Sequence, residues 1–201
     1  MTSTAVLYQA AAHCLGYPDD AFRYRLSLLR AAAPELGGFL DHAAAQAPAD
    51  LAAHYVQVFD FKNRHSLYLT WWRDGDTRRR GMSLVRFKET YREHGLEFTG
   101  EELPDFLPVV LEFSAQMGPV LLKEHRGALE LLRLALTDFG TPYARVLDAV
   151  CATLPGPSPK DRAEALALAR SGPPREEVGL EPFGLITEPP IAEPPLIGER
   201  S

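Results

Sequence analysis

The sequence predicts an all-α fold, a single-domain helical bundle that ends in a proline-rich C-terminal tail. Three observations predict it. Apolar residues recur at three- and four-residue spacing through most of residues 1–154. Several of these runs begin at Pro or Asp and others end at Gly, the order in which helices open and close. Long alternating strands and internal repeats do not occur.

The first helix spans Thr2 to Leu15, with Val6, Leu7, Ala10, Ala11, Cys14 and Leu15 at helical spacing, and Gly16-Tyr17-Pro18 closes it. Asp19 or Asp20 caps the second, which carries Phe22, Leu26 and Leu29 on one stripe. Pro34 opens a third helix that runs to about Gln46, and Pro48 a fourth with Leu51, Tyr55, Val58 and Phe59. Asn63 to Ser66 is a polar break. The apolar segment Leu67 to Trp72 suits a strand or a buried helical turn, and the flanking helices favour a short helix. Asp76 or Thr77 caps the next helix, whose expected apolar face is Met82, Leu84, Val85, Phe87 and Tyr91, with Gly95 just past its end. Glu101 to Asp105 is expected to open another, its carboxylates favoured by the helix dipole. Pro108 in that helix must sit in the first turn or kink it. After Gly118-Pro119 one long helix is expected through Leu121, Leu122, Leu129, Leu132 and Leu136, then a turn at Asp138 to Pro142 and a helix with Tyr143, Val146, Leu147 and Val150.

Composition changes after Leu154. Residues 1–154 form the expected helical domain. Residues 155–171 are a proline-spaced linker and a short helix from about Lys160 to Arg170. Residues 172–201 hold seven Pro, six Glu and two Arg, too little apolar surface to offset ordering entropy, so a disordered or loosely docked tail is expected. Val178, Leu180, Phe183, Leu185 and Ile186 are its apolar exception.

The net charge of −6 disfavours nucleic acid as a partner. Lys62 to Arg92 holds nine Lys or Arg against three Asp or Glu, a local +6 that leaves −12 on the rest, so one basic patch faces an acidic body. Neither a secretory signal nor an apolar run long enough for a bilayer is present, which with two isolated cysteines, Cys14 and Cys151, suggests a soluble cytoplasmic protein. Both cysteines read as small buried hydrophobes. The six histidines show no metal-ligand spacing, and no nucleophile elbow, phosphate loop or dinucleotide fingerprint appears. Asp105 and Glu112 are seven apart, one helical face, but capping and ion pairing with the arginines outweigh acid–base catalysis for them. Of Arg78, Arg79 and Arg80, consecutive on a helix, at most two can serve one site. Trp71 and Trp72 read as core and core edge, with a peptide groove as the other role for an exposed tryptophan. The residues alone reach a cytoplasmic helical protein without catalytic apparatus, a binding module. A helical transcriptional regulator or another peptide-binding adaptor is the alternative. A basic N-terminal helix-turn-helix is not supported, since residues 1–50 offer only Arg23, Arg25 and Arg30 against five acids.

The order of motifs adds a resemblance. Tyr55-x-x-x-Phe59-Asp60 is followed by LYLTWWRDGDTRRRG at Leu67 to Gly81, by Tyr91-Arg92-x-x-Gly95-Leu96, and by ELPDFLPVVLEF at Glu102 to Phe113. This string resembles the nitrate reductase delta-subunit family, the NarJ-type molybdenum-cofactor assembly chaperones, related to the TorD-like chaperones. The match is strong from about Leu51 to Ala115. It implies a helical bundle that is not itself an enzyme and holds no cofactor. It implies a cytoplasmic chaperone that binds the apo catalytic alpha subunit of respiratory nitrate reductase, including its N-terminal segment, supports insertion of the molybdenum cofactor, and acts before membrane docking. No stable membrane association is implied. The wider family carries an acidic, proline-containing motif between helices; ELPD stands in its place without being identical. An amphipathic peptide in an apolar groove is the expected mode. Phe106 and Val110 are expected to line that groove, with Glu101, Glu102, Asp105 and Glu112 as an acidic rim. Tyr68, Trp72, Asp76 and Arg80 complete the expected contact set, and Arg80 is alternatively an internal brace for the rim.

Overall fold

The structure is a computed structural model, and it describes residues 3–61, 63–100 and 102–171. Eleven helices make up the described residues, in the order α1 (Ser3–Leu15), α2 (Asp20–Ala32), α3 (Gly37–Ala45), α4 (Pro48–Phe59), α5 (Trp71–Asp74), α6 (Arg78–Glu93), α7 (Leu107–Met117), α8 (Val120–Glu124), α9 (Arg126–Phe139), α10 (Tyr143–Cys151) and α11 (Arg162–Ser171). The all-α class is as the sequence predicts. The 172–201 tail lies outside the described residues.

Helix α1 is the spine. Its Leu7, Tyr8, Ala10, Ala11, Ala12, Cys14 and Leu15 are all buried, around most of its circumference. The alanines let neighbours approach closely, and α1 packs chiefly on α7 and then on α10. Helix α7 answers with Leu107, Val110, Leu111 and Phe113, and α10 with Tyr143, Val146, Leu147 and Val150. Asp19 supplies the cap of α2, accepting from Phe22 N–H at 2.7 Å. The run opened by Pro34 starts as a 3-10 turn, Pro34–Leu36, before α3.

Five local expectations change on folding. Leu67 to Trp72 is not one helical turn. Leu69 N–H donates to the Asp105 carbonyl (3.0 Å) and Leu107 N–H to that of Leu67 (2.8 Å), so a single antiparallel bridge joins Tyr68 to Phe106 before α5 begins. Because 102–106 is drawn into this bridge, α7 opens at Leu107 and not at Glu101, and Pro108 falls in its first turn, where a missing N–H costs nothing. On α6 the buried side chains are Ser83, Phe87 and Tyr91, while Met82 and Val85 are exposed. Thr77 heads that helix without a side-chain cap; its hydroxyl donates instead to the Asp74 carbonyl. Finally, the long helix expected after Pro119 is broken at His125, which ends α8 and heads α9 with non-helical backbone angles.

Residues 155–171 lie against the body. Arg126 Nη2 donates to the carbonyls of Gly156 (2.9 Å) and Pro157 (3.0 Å), and Arg133 Nη2 to that of Pro159 (2.8 Å). Glu130, fully buried, lies between the two guanidiniums, 2.7 Å from Arg133 and 3.5 Å from Arg126. Helix α11 then packs on α9, with Ala165 buried and Ala169 against Gly127 so closely that a Cβ there would stand 2.3 Å from the Ala169 Cα.

Candidate functional site

The bridge between Tyr68 and Phe106 is the centre of the candidate site. Residues paired across an antiparallel bridge put their side chains on one face, and the two rings lie 5.3 Å apart. Their neighbour Asp105 points the other way, into the protein, and is fully buried. Its Oδ2 accepts from the Thr70 N–H (3.0 Å) and from the Thr70 hydroxyl (2.5 Å). Thr70 Oγ1 in turn accepts from Arg80 Nε (3.2 Å). A buried carboxylate is thereby linked to a guanidinium through one hydroxyl. The guanidinium lies over the Tyr68 and Trp71 rings, 5.6 and 5.9 Å from their centroids, within cation–π range.

The Glu102 to Asp105 turn has two further ties. The Tyr68 hydroxyl donates to Glu102 Oε2 (2.8 Å), and the buried Tyr91 hydroxyl to the Pro104 carbonyl (2.6 Å). Burial first, then the hydrogen bond and charge of Glu102, push the Tyr68 phenol up to about 12, and burial with nearby Asp105 raises Tyr91 as well. Both phenols therefore stay neutral donors at ordinary pH.

The structure brings together Tyr68, Arg80, Glu102, Asp105 and Phe106 of the expected contact set. It separates the rest. Val110 is wholly inside the core, so it lines no groove. Asp105, buried, faces no partner, and the acidic rim of the described residues is reduced to Glu102 at this point. Glu112 is exposed on α7 and Asp76 exposed in the turn before α6. Glu101 lies outside the described residues. Trp72 projects from the other side of α5, its Nε1 donating to the Ser66 carbonyl (2.9 Å). Thr70, Trp71 and Tyr91 were not singled out for this role. The signal for Thr70 is visible in retrospect: it is the one small hydroxyl side chain inside the apolar run Leu67 to Trp72.

Beyond Trp72 lies a groove of about 1010 Å³, bounded by α5, α6, the α8–α9 junction, residues 155–157 and α11. Trp72, Met117 and Val120 give it apolar surface, and Arg73, Arg86 and Lys123 give it positive charge. His125 sits in its wall, buried and stacked on Phe87 at 4.6 Å. Burial above all, then Arg73 and Arg86, push this imidazole down to about 4, against the opposing effect of Asp74. Both cysteines are buried, and burial drives their thiols upward, Cys14 to about 12. Thiolate chemistry is suppressed at both. No group of three or more potential metal ligands occurs among the described residues, and no helix there is long and apolar enough to cross a membrane.

A helical bundle of this kind is shared with a protein proposed to mature redox enzymes. The crystal structure from Archaeoglobus fulgidus superposes with a TM-score of 0.59 at 22% identity, over 74% of this chain and 92% of that one, a likeness of fold. Residues 25–148 match the family model described as nitrate reductase delta subunit, and the chain belongs to that family. The nitrate reductase molybdenum cofactor assembly chaperone NarJ of Escherichia coli K12 is 32% identical over 149 residues, 67% of this chain and 63% of that protein. NarJ of Bacillus subtilis is 35% identical over 123 residues, 57% and 67% respectively. The nitrate reductase-like protein NarX of Mycobacterium tuberculosis is 39% identical over 157 residues, and the chain spans 24% of its length.

Proposed function

We propose that this protein is a dedicated assembly chaperone, not an enzyme. It binds the apo catalytic alpha subunit of a nitrate reductase, including its N-terminal segment, and supports molybdenum-cofactor insertion before that subunit meets the membrane. The observation that carries the reading is membership of the delta-subunit family, in which the E. coli relative is named as such a chaperone. The reading places the protein in the cytoplasm.

The partner surface is proposed at the Tyr68–Phe106 face, with Glu102 at its edge and Arg80 behind it. The chemistry suits a peptide. Two aromatic rings supply large contact area at low entropy cost, and the Glu102 carboxylate adds attraction for a basic side chain. Asp105, Thr70 and Arg80 hold that face in position from inside. Calorimetric titration with a peptide copying the N-terminus of the alpha subunit from the same genome tests the reading. Saturable binding with a negative heat-capacity change, absent for a scrambled peptide, is expected. Phe106→Ala is expected to weaken it about tenfold, as loss of an aromatic anchor does. Equal heats from the native and scrambled peptides count against the proposal.

A further inference from the structure

The groove behind Trp72 is separate from the Tyr68–Phe106 face and has its own chemistry. Met117 and Val120 on its rim are 40% and 41% exposed, large apolar side chains open to water. Arg86 and Lys123 line the same space; the Arg86 side chain, 70% exposed, is paired with Glu124 of the same wall at 3.1 Å, and Lys123 forms no ion pair among the described residues. Four basic side chains of the lining, Arg73, Arg86, Lys123 and Arg126, outnumber its one carboxylate, Glu124, so the groove favours an apolar occupant that carries negative charge. One wall of the groove is α11, through Leu168 and Ala169, and that helix ends at Ser171, two residues past Ala169.

The residues that follow have the matching composition. Glu176, Glu177, Glu181 and Glu188 alternate with Val178, Leu180, Phe183, Leu185 and Ile186, and Arg175 is the sole basic residue from 172 to 188. We propose that the groove is the docking site of this chain's own C-terminal segment, residues 176–188, with its apolar side chains on Trp72, Met117 and Val120 and its carboxylates toward Arg86 and Lys123. Reach is sufficient. Leu180 lies nine residues past Ser171, about 30 Å of extended chain. Tethering also holds the segment at an effective concentration on the order of millimolar, so a site of modest intrinsic affinity stays mostly covered. A basic peptide is repelled by the same charges. The docking needs no partner subunit.

The test uses the full chain with p-benzoyl-phenylalanine in place of Phe183. After irradiation, intramolecular cross-links in the monomer are expected on Met117, Val120 or Trp72. Arg86→Glu with Lys123→Glu is expected to lower their yield at least threefold at low salt. Cross-links elsewhere on the chain, or none, overturn the proposal. Cross-links only between chains assign the groove to a second copy and also overturn it. Hydrogen exchange of Val120 to Ala128 provides an independent reading in an otherwise native chain. Phe183→Glu with Ile186→Glu is expected to speed exchange there several-fold, and unchanged exchange overturns the docking. Groove protection that appears only when the alpha-subunit peptide is added assigns the site to the partner instead.

Discussion

Replacing Glu130 by Gln removes the single negative charge that lies between Arg126 and Arg133. Glu130 is completely buried, and the side chains of the two arginines are only 10% and 14% exposed. Removing one member of a buried ion pair costs about 3–5 kcal/mol; here Arg126 loses its carboxylate, and Arg133 keeps only the half-exposed Asp148 at 3.5 Å. The amide still accepts one hydrogen bond, so the low end, ~3 kcal/mol, is expected here. With a urea dependence of about 1–3 kcal/mol per M, the unfolding midpoint falls by at least ~1 M. The damage should be directional. Both arginines also hold residues 156–159, so amide exchange in α11 should rise before exchange in α1. Urea titration followed by helical circular dichroism, with exchange mass spectrometry on the same variant, measures both. A loss below ~1 kcal/mol, within the range of an exposed surface pair, together with unchanged α11 exchange, refutes the clamp.

Other changes probe other parts. Gly127→Ala ought to gain up to ~1 kcal/mol from helix propensity alone, yet its Cβ meets Ala169 backbone at 2.3 Å; net destabilisation with faster exchange over α11 is expected, and a net gain in thermal stability refutes the contact. His125, held neutral by burial, binds a proton more readily in the unfolded chain. Its depressed pKa therefore lowers stability as pH falls from about 6.5 toward about 4. By pH 5 the loss amounts to roughly 2 kcal/mol relative to neutral pH, and His125→Gln should flatten that slope; an identical slope in the variant contradicts it. Arg80→Ala removes the bond to Thr70 and two ring contacts, an expected ~1–2 kcal/mol of stability with peptide affinity kept within about twofold. A tenfold affinity loss at unchanged stability would instead make Arg80 a direct contact.

The helices were legible where one stripe faced one core. Phe22 and Leu29 on α2, and Phe39 and Leu40 on α3, are buried as their spacing requires. Proline and glycine marked the boundaries well: Pro48 begins α4, and Gly95 and Gly140 take the left-handed conformation past α6 and α9. What was not legible depends on partners distant in sequence. Leu67 and Leu69 leave the helical pattern because their backbone groups pair with Leu107 and Asp105. Local periodicity holds no record of that pairing. The break at His125 has the same origin, since Phe87 stacks on it and Arg126 beside it reaches Gly156 and Pro157.

The two strings singled out in the sequence meet at the Tyr68–Phe106 bridge, but which of their side chains reach the surface is not legible there. An aspartate before a helix reads as an exposed cap. Asp105 goes inward because Thr70, 35 positions away, offers its carboxylate two donors. Val110 reads as a groove residue only when α7 is taken to be one-sided. Contact with α1 makes that face core. Arg80, considered both as brace and as contact, is tied inward through Thr70. The groove behind Trp72 escaped the sequence reading because five separate segments build it.

The central claim, that this chain serves the assembly of a molybdenum enzyme, is tested most directly by the metal content of the client. The nitrate reductase alpha subunit would be purified from cells lacking this protein and from cells in which it is restored. Molybdenum per alpha subunit would then be measured by mass spectrometry. The account predicts near-absence of molybdenum without the protein, with the polypeptide still made, and full loading on restoration. Equal molybdenum in both preparations would contradict it.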